Sequence, residues 1–384
     1  MKNPFKKLIP CLLLLLILCG CTPKDNRTEI QFASWGSKSE IDILKPILKE
    51  FETQNPDIKV DFMHIPQNYF QKIHLLFASK TSPDVIFINN IYLPVYANAG
   101  VLEPINNRVD LSQYEPNILK SLSWKNELYA IPRDVSNLVI FYNKDLFDKC
   151  NIAYPKFSWS FNDFLTINQK FKSCGYFGTS FEEEPFFFLP YLMSEGGGIL
   201  SDDLSNVIIN TSQSQKGLTY YANLRKKYHT APLAQESASA TMAQMFLQQK
   251  IAMHLSGRWL VPKYREEAKF DWDVVNFPNG DKGSIVPLDS SGWAVSKDSK
   301  NKEEAFKLVN YLSSKQSIEK LTESGLIVPA RRDVQNSKYF LDKEKPHNSQ
   351  VFINVIKTSK PTPISVNYRE ILDKLTPNFE KMFN

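Results

Sequence analysis

The sequence predicts an α/β protein with a parallel sheet. Two observations carry that expectation. The first hundred residues alternate strand-like and helix-like patterns, and the third strand is apolar on both faces. In addition, the 384 residues are enough for two domains. Glu29-Ile-Gln-Phe-Ala-Ser34 alternates polar and apolar positions, as a half-buried strand does. Ile41, Leu44, Ile47, Leu48 and Phe51 follow at helical spacing, and Pro46 is expected to kink or restart that helix. Asn55-Pro56-Asp57 stops it, and residues 58–62 alternate again. Tyr69, Ile73, Leu76 and Phe77 mark a second helix. Residues 84–88, behind Pro83, form a continuous apolar run suited to a strand buried on both faces. Strands separated by helices imply βαβ units with right-handed crossovers.

Further along, residues 138–142 form an apolar strand core, and a helical pattern follows Ser160. The aromatic run Phe186-Phe187-Phe188 reads as core or helix packing. Residues 214–228 and 240–250 read as helices. Residues 250–255 read as a strand that turns at Ser256-Gly257. Residues 270–283 are loop-rich around one short strand. Residues 302–323 form an amphipathic helical pair, and residues 340–384 carry more helix.

The first 21 residues carry Lys2, Lys6 and Lys7, then the apolar run 11–18, then Cys19-Gly20-Cys21. That order describes a secretory signal; the apolar run is about half the roughly 20 residues that span a bilayer. Leu18-Cys19-Gly20-Cys21 also resembles the bacterial lipobox, which implies cleavage of residues 1–20 and a lipid on Cys21. Residues 21–28 would then be a polar tether. Removing the three signal lysines lowers the formal charge from +5 to +2. A nearly neutral body gives no electrostatic reason to expect nucleic acid. Export permits a disulfide between Cys150 and Cys174, or the two stand as buried thiols. Five scattered histidines without ligand spacing make a metal site unexpected, and no cofactor is implied.

In open α/β sheets, ligands bind beyond the carboxyl ends of the strands. The residues there are Trp35-Gly36-Ser37, residues 64–68, and Asn89-Asn90. They are aromatic or amide-bearing and mostly uncharged, which suits a neutral, hydroxyl-rich ligand. Phosphate-cradling glycine motifs are absent, as is a Gly-x-Ser-x-Gly nucleophile elbow. The run Glu182-Glu183-Glu184 reads as a solvated face, so a binding protein is favoured over an enzyme.

Several landmarks recur in a familiar order: Ser34-Trp35-Gly36; residues 51–60; Ser82-Pro83-Asp84-Val85; Phe141-Tyr-Asn-Lys-Asp-Leu-Phe147; Glu195-Gly196-Gly197; Ser256-Gly257-Arg258-Trp259; residues 292–297; and residues 325–329. With them the chain resembles, over residues 29–384, the extracellular solute-binding proteins of ABC importers. That group includes maltose-, oligosaccharide- and glycerol-phosphate-binding proteins. The resemblance implies a two-lobed, periplasmic-binding-protein-like fold with hinge strands and a ligand cleft between the lobes. Residues 29–134 plus 288–328 would form the N-terminal lobe, and residues 135–287 plus 329–384 the C-terminal lobe. Crossings are expected near residues 134–137, 287–291 and 328–331.

The resemblance also implies a monomer that captures a carbohydrate and delivers it to an ABC permease, at the membrane and facing the periplasm or the exterior. The ligand-binding candidates are Trp35, Asn89, Asn90, Arg133, Asp134, Arg258, Trp259 and Trp293. Many relatives carry an acidic residue just after the third strand, where this chain has Asn89-Asn90. Two alternatives stay open: an anionic ligand such as a sugar phosphate, held by Arg133, Arg258 and Arg331, and a ligand-sensing surface lipoprotein with no transport role.

Overall fold

A computed structural model describes residues 26–105, 108–237 and 240–384. The expected signal, its cleavage site and the lipidated Cys21 lie outside the described residues. The first strand, β1 (Thr28–Ser34), starts one residue inside the expected tether. It leads through helix α1 (Lys38–Gln54) to β2 (Ile58–His64), then through α2 (Tyr69–Ala78) to β3 (Val85–Asn89). Both β2 and β3 pair in parallel with β1, as the alternation predicts. The helix runs unbroken through Pro46, so the expected restart does not occur. Its apolar stripe is buried at Ile41, Leu44, Ile47, Leu48 and Phe51. Burial of that face outweighs the one backbone hydrogen bond the proline removes.

After α3 (Leu93–Asn98) the chain adds β4 (Ile131–Ser136) and then leaves for a second sheet. That sheet begins with β5 (Val139–Asn143). Helices α4 (Lys144–Lys149) and α5 (Phe161–Ser173) precede β6 (Phe177–Thr179). Next come α6 (Pro185–Ser194), α7 (Ser212–Lys226), β7 (Ile251–Ser256) and β8 (Trp272–Val275). Cys150 and Cys174, which follow the last residues of α4 and α5, are joined in a disulfide with Cα atoms 6.0 Å apart. The second sheet has the order β8-β5-β7-β6.

The chain then returns to the first sheet with β9 (Pro287–Ser296). Helices α8 (Lys302–Leu312) and α9 (Lys315–Glu323) form the expected pair and lead to β10 (Val328–Pro329). The spine of the first sheet is β10-β4-β9-β3-β1-β2, so a late strand sits between two early ones. The last helix, α10 (Tyr368–Phe383), packs Phe379 and Phe383 against Phe188 of α6, on the second-sheet side.

Candidate functional site

The carboxyl ends of β1, β2 and β3 form one rim of the first sheet. Trp35 lies one residue beyond β1 and is half-buried. Its ring centroid is 4.2 Å from Phe87, 5.0 Å from Tyr69 and 5.3 Å from Phe70. Phe70 in turn stacks on Tyr92 at 3.7 Å with 13° between the planes. Tyr69 donates to the Ala33 carbonyl at 3.0 Å, which ties the start of α2 to β1. Trp35, Phe70 and Tyr92 thus form a partly exposed aromatic shelf.

Asn89 and Asn90 support this shelf. The Asn89 side-chain oxygen accepts from the Tyr92 backbone N–H at 3.2 Å, at the entry to α3. Asn90 is buried; its amide donates to Asp289 at 2.9 Å and accepts from the Ser290 N–H at 3.3 Å. Thr362 donates to the same Asp289 oxygen at 2.7 Å. Burial raises the Asp289 carboxyl above its ordinary value, against the pull of those two hydrogen bonds.

Arg133 and Asp134 are buried and face one another. Arg133 Nε donates to Asp134 at 2.6 Å, and its Nη1 donates to Glu40 at 2.5 Å. Burial pushes the Asp134 carboxyl up, and the guanidinium beside it works against that rise. The Arg133 guanidinium is thus matched by two carboxylates within the fold.

A second aromatic group stands at the carboxyl ends of β6 and β7. After Gly257 a single 3-10 turn, Arg258–Leu260, places Trp259 half-buried with its ring folded back over the glycine. A Cβ on Gly257 would come within 1.9 Å of that ring, so a side chain there would displace the indole. Phe186 lies 6.3 Å from Trp259. Pro185 starts α6, and its first turn leaves Phe186 and Phe187 half-exposed. Phe188 is fully buried against Phe379 and Phe383, while Phe186 and Phe187 pack against the core with part of each ring exposed, so the packing expectation holds for the run. Arg369 of α10 donates to the Tyr92 hydroxyl at 3.2 Å, tying the last helix to the aromatic shelf.

Two expected ligand contacts are placed elsewhere. Trp293 lies within β9, is 1 % exposed, and packs 6.1 Å from Phe87 on the sheet interior. Arg258 is 1 % exposed, with its guanidinium 4.2 Å from the Phe340 ring and 3.3 Å from the Ser349 hydroxyl. Burial pushes its pKa down to about 10; Arg265 adds to the fall and Asp342 opposes it. Arg331 is committed to Asp333 at 2.7 Å. The three arginines of the anionic reading are therefore held inside the fold. The glutamate run is also not one solvated face. Glu183 pairs with the buried Arg225 at 2.7 Å, and burial, helped by Glu184, pushes Glu182 up to about 7.

Phe70, Tyr92 and Arg369 were not among the residues the sequence singled out, and Phe186 was read only as packing. The available signal was position. Phe70 lies off the apolar stripe of its helix, and Tyr92 lies just past a strand end.

The family model for bacterial extracellular solute-binding proteins matches residues 37–319. The chain belongs to this family. A galactooligosaccharide-binding protein of Bacillus subtilis is 23 % identical, over 94 % of this chain and 88 % of that one. A putative binding protein of Brucella abortus is 23 % identical, over 85 % of this chain and 81 % of that one. Among solved structures, an ABC substrate-binding protein from Listeria monocytogenes in complex with cycloalternan superposes with a TM-score of 0.83. It is 27 % identical, with 93 % of this chain and 94 % of that chain covered. As a solute-binding protein of ABC importers, this chain has two lobes, one built on each sheet, and among the described residues no helix is long and apolar enough to cross a membrane.

Proposed function

We propose that this solute-binding protein captures a neutral oligosaccharide between its aromatic walls and delivers it to an ABC permease without altering it. The observation that carries the reading is the partly exposed Trp35–Phe70–Tyr92 shelf at the strand ends of the first sheet; the Trp259–Phe186 pair at the strand ends of the second sheet is read as the facing wall. Flat aromatic faces pack on the apolar faces of sugar rings, and a few fixed polar groups orient the hydroxyls. The relatives that bind galactooligosaccharides and cycloalternan support this choice of ligand class. An anionic ligand is disfavoured because Arg133 and Arg331 are ion-paired within the fold and Arg258 is buried beneath the surface. The protein acts as a monomer held at the membrane by a lipid on Cys21.

A thermal-shift panel of neutral oligosaccharides, monosaccharides and sugar phosphates tests the ligand class. A ligand at a hundredfold excess over its Kd stabilises the folded state by about 2.7 kcal/mol. Shifts are expected with neutral oligosaccharides; shifts confined to sugar phosphates would refute the reading. Mass spectrometry of the mature N-terminus tests the anchor, and an unmodified Cys21 would rule it out.

A further inference from the structure

We propose that Arg133 is a positioning residue that sets the orientation of the Trp35 indole from the hinge. The proposal rests on the reading of Trp35 as a ligand platform. It starts from a register shift. In the β4–β9 pair Ser291 faces Asp134, but the next residue, Gly292, faces Pro132. Arg133 is thus the extra residue of a β-bulge, a device that re-aims a side chain. The bulge requires glycine opposite it, because a Cβ on Gly292 would lie 2.1 Å from the Ile131 carbonyl oxygen.

The re-aimed side chain enters the first lobe. Its guanidinium lies 4.1 Å from the centre of the Phe87 ring, and the Trp35 ring lies 4.2 Å from that same ring. Arg133 also bonds Glu40, which stands in the first turn of α1, where the Ser37 hydroxyl accepts from the Glu40 N–H at 3.3 Å. The Glu40 carboxylate lines the back of Gly36, 3.1 Å from where a Cβ would sit. The loop that carries Trp35 is therefore boxed by Phe87 on one side and Glu40 on the other, and Arg133 touches both. Arg133 itself is 8 % exposed, and its donors are directed at Glu40 and Asp134. It reaches a ligand only through Trp35. Because β4 runs directly into the crossing to the second sheet, a change at the hinge reaches the binding surface through these two contacts.

The test uses the full-length chain labelled with 5-fluorotryptophan, whose six tryptophans give separable 19F signals assigned by Trp→Phe variants. R133M and E40Q are expected to shift and broaden the Trp35 signal and leave those of Trp259 and Trp272 in place. R133K, which keeps the charge but loses the planar stack, restores it in part. An unmoved Trp35 signal in both R133M and E40Q overturns the proposal, and if R133M does not fold, E40Q decides alone. Binding of maltotetraose is then measured in a cycle with W35A. R133M is expected to weaken binding about tenfold in the parent and less than twofold in W35A. An equal loss in both backgrounds means direct contact with the ligand and overturns the proposal. If maltotetraose binds none of the proteins, the oligosaccharide reading is what suffers, and the ligand-free 19F result still decides the role of Arg133.

Discussion

Trp35 and Trp293 flank the same phenylalanine, yet they serve different ends. Phe87 lies 4.2 Å from one and 6.1 Å from the other. Trp293 sits inside β9 and is 1 % exposed; Trp35 sits one residue past the end of β1 and keeps part of its ring in solvent. Inside a strand, the neighbouring strands and the helices above close over a side chain. Past the carboxyl end, the backbone turns away and one face stays open. The same contrast recurs in α6, where Phe186 and Phe187 remain partly exposed and Phe188 is sealed against α10. Aromatic content alone identifies no binding surface; distance from the end of the element does.

W293A should show the largest effect, a loss of about 3–5 kcal/mol in urea unfolding, because a fully buried indole leaves a cavity. A loss under about 1 kcal/mol would break the contrast at its core end. F188A should cost about 3 kcal/mol for the same reason. F186A, two residues away, should leave unfolding nearly unchanged and weaken maltotetraose binding about tenfold, or about 1.4 kcal/mol. W35A should behave like F186A in calorimetry and in unfolding; if it instead destabilised the fold as much as W293A, the contrast would be lost.

The smallest effect concerns the loop before α6. Glu182 is pushed up to about 7 by burial, from an ordinary value of 4.5. The unfolded chain therefore releases this proton first as pH rises. Stability falls between about pH 4.5 and 7, and the penalty is complete above that range. E182Q should gain on the order of 1–2 kcal/mol over the parent at pH 8 and nothing at pH 4. Equal stabilities at pH 8 would place Glu182 in ordinary solvent.

Much of the scaffold was legible because it follows from periodicity. The β1-α1-β2-α2-β3 run, the helix after Ser160 and the pair over residues 302–323 all announce themselves by apolar spacing. Pro46 misled because a local rule was overridden by five buried apolar side chains on the same helix. Trp259 was legible as an aromatic after a Gly turn. The location of Trp293 was not, because it was read as lying at the crossing near residues 287–291, whereas here it sits inside a strand beside a bulge. Arg133 and Arg258 were read as candidates to meet a ligand. Their partners, Glu40 and the Phe340 ring, lie 93 and 82 positions away along the chain, and local spacing carries no such pairing. The choice between a disulfide and two thiols at Cys150 and Cys174 likewise depended on the packing of two helix ends.

The place of β9 in the first sheet has a consequence for biosynthesis. It lies between β3 and β4, and these two early strands have no direct partnership without it. A ribosome must therefore make nearly three hundred residues before that sheet can close, and pairings so distant in sequence form slowly. The strand order that ties the two lobes together thus makes closure of the first sheet a late event in synthesis.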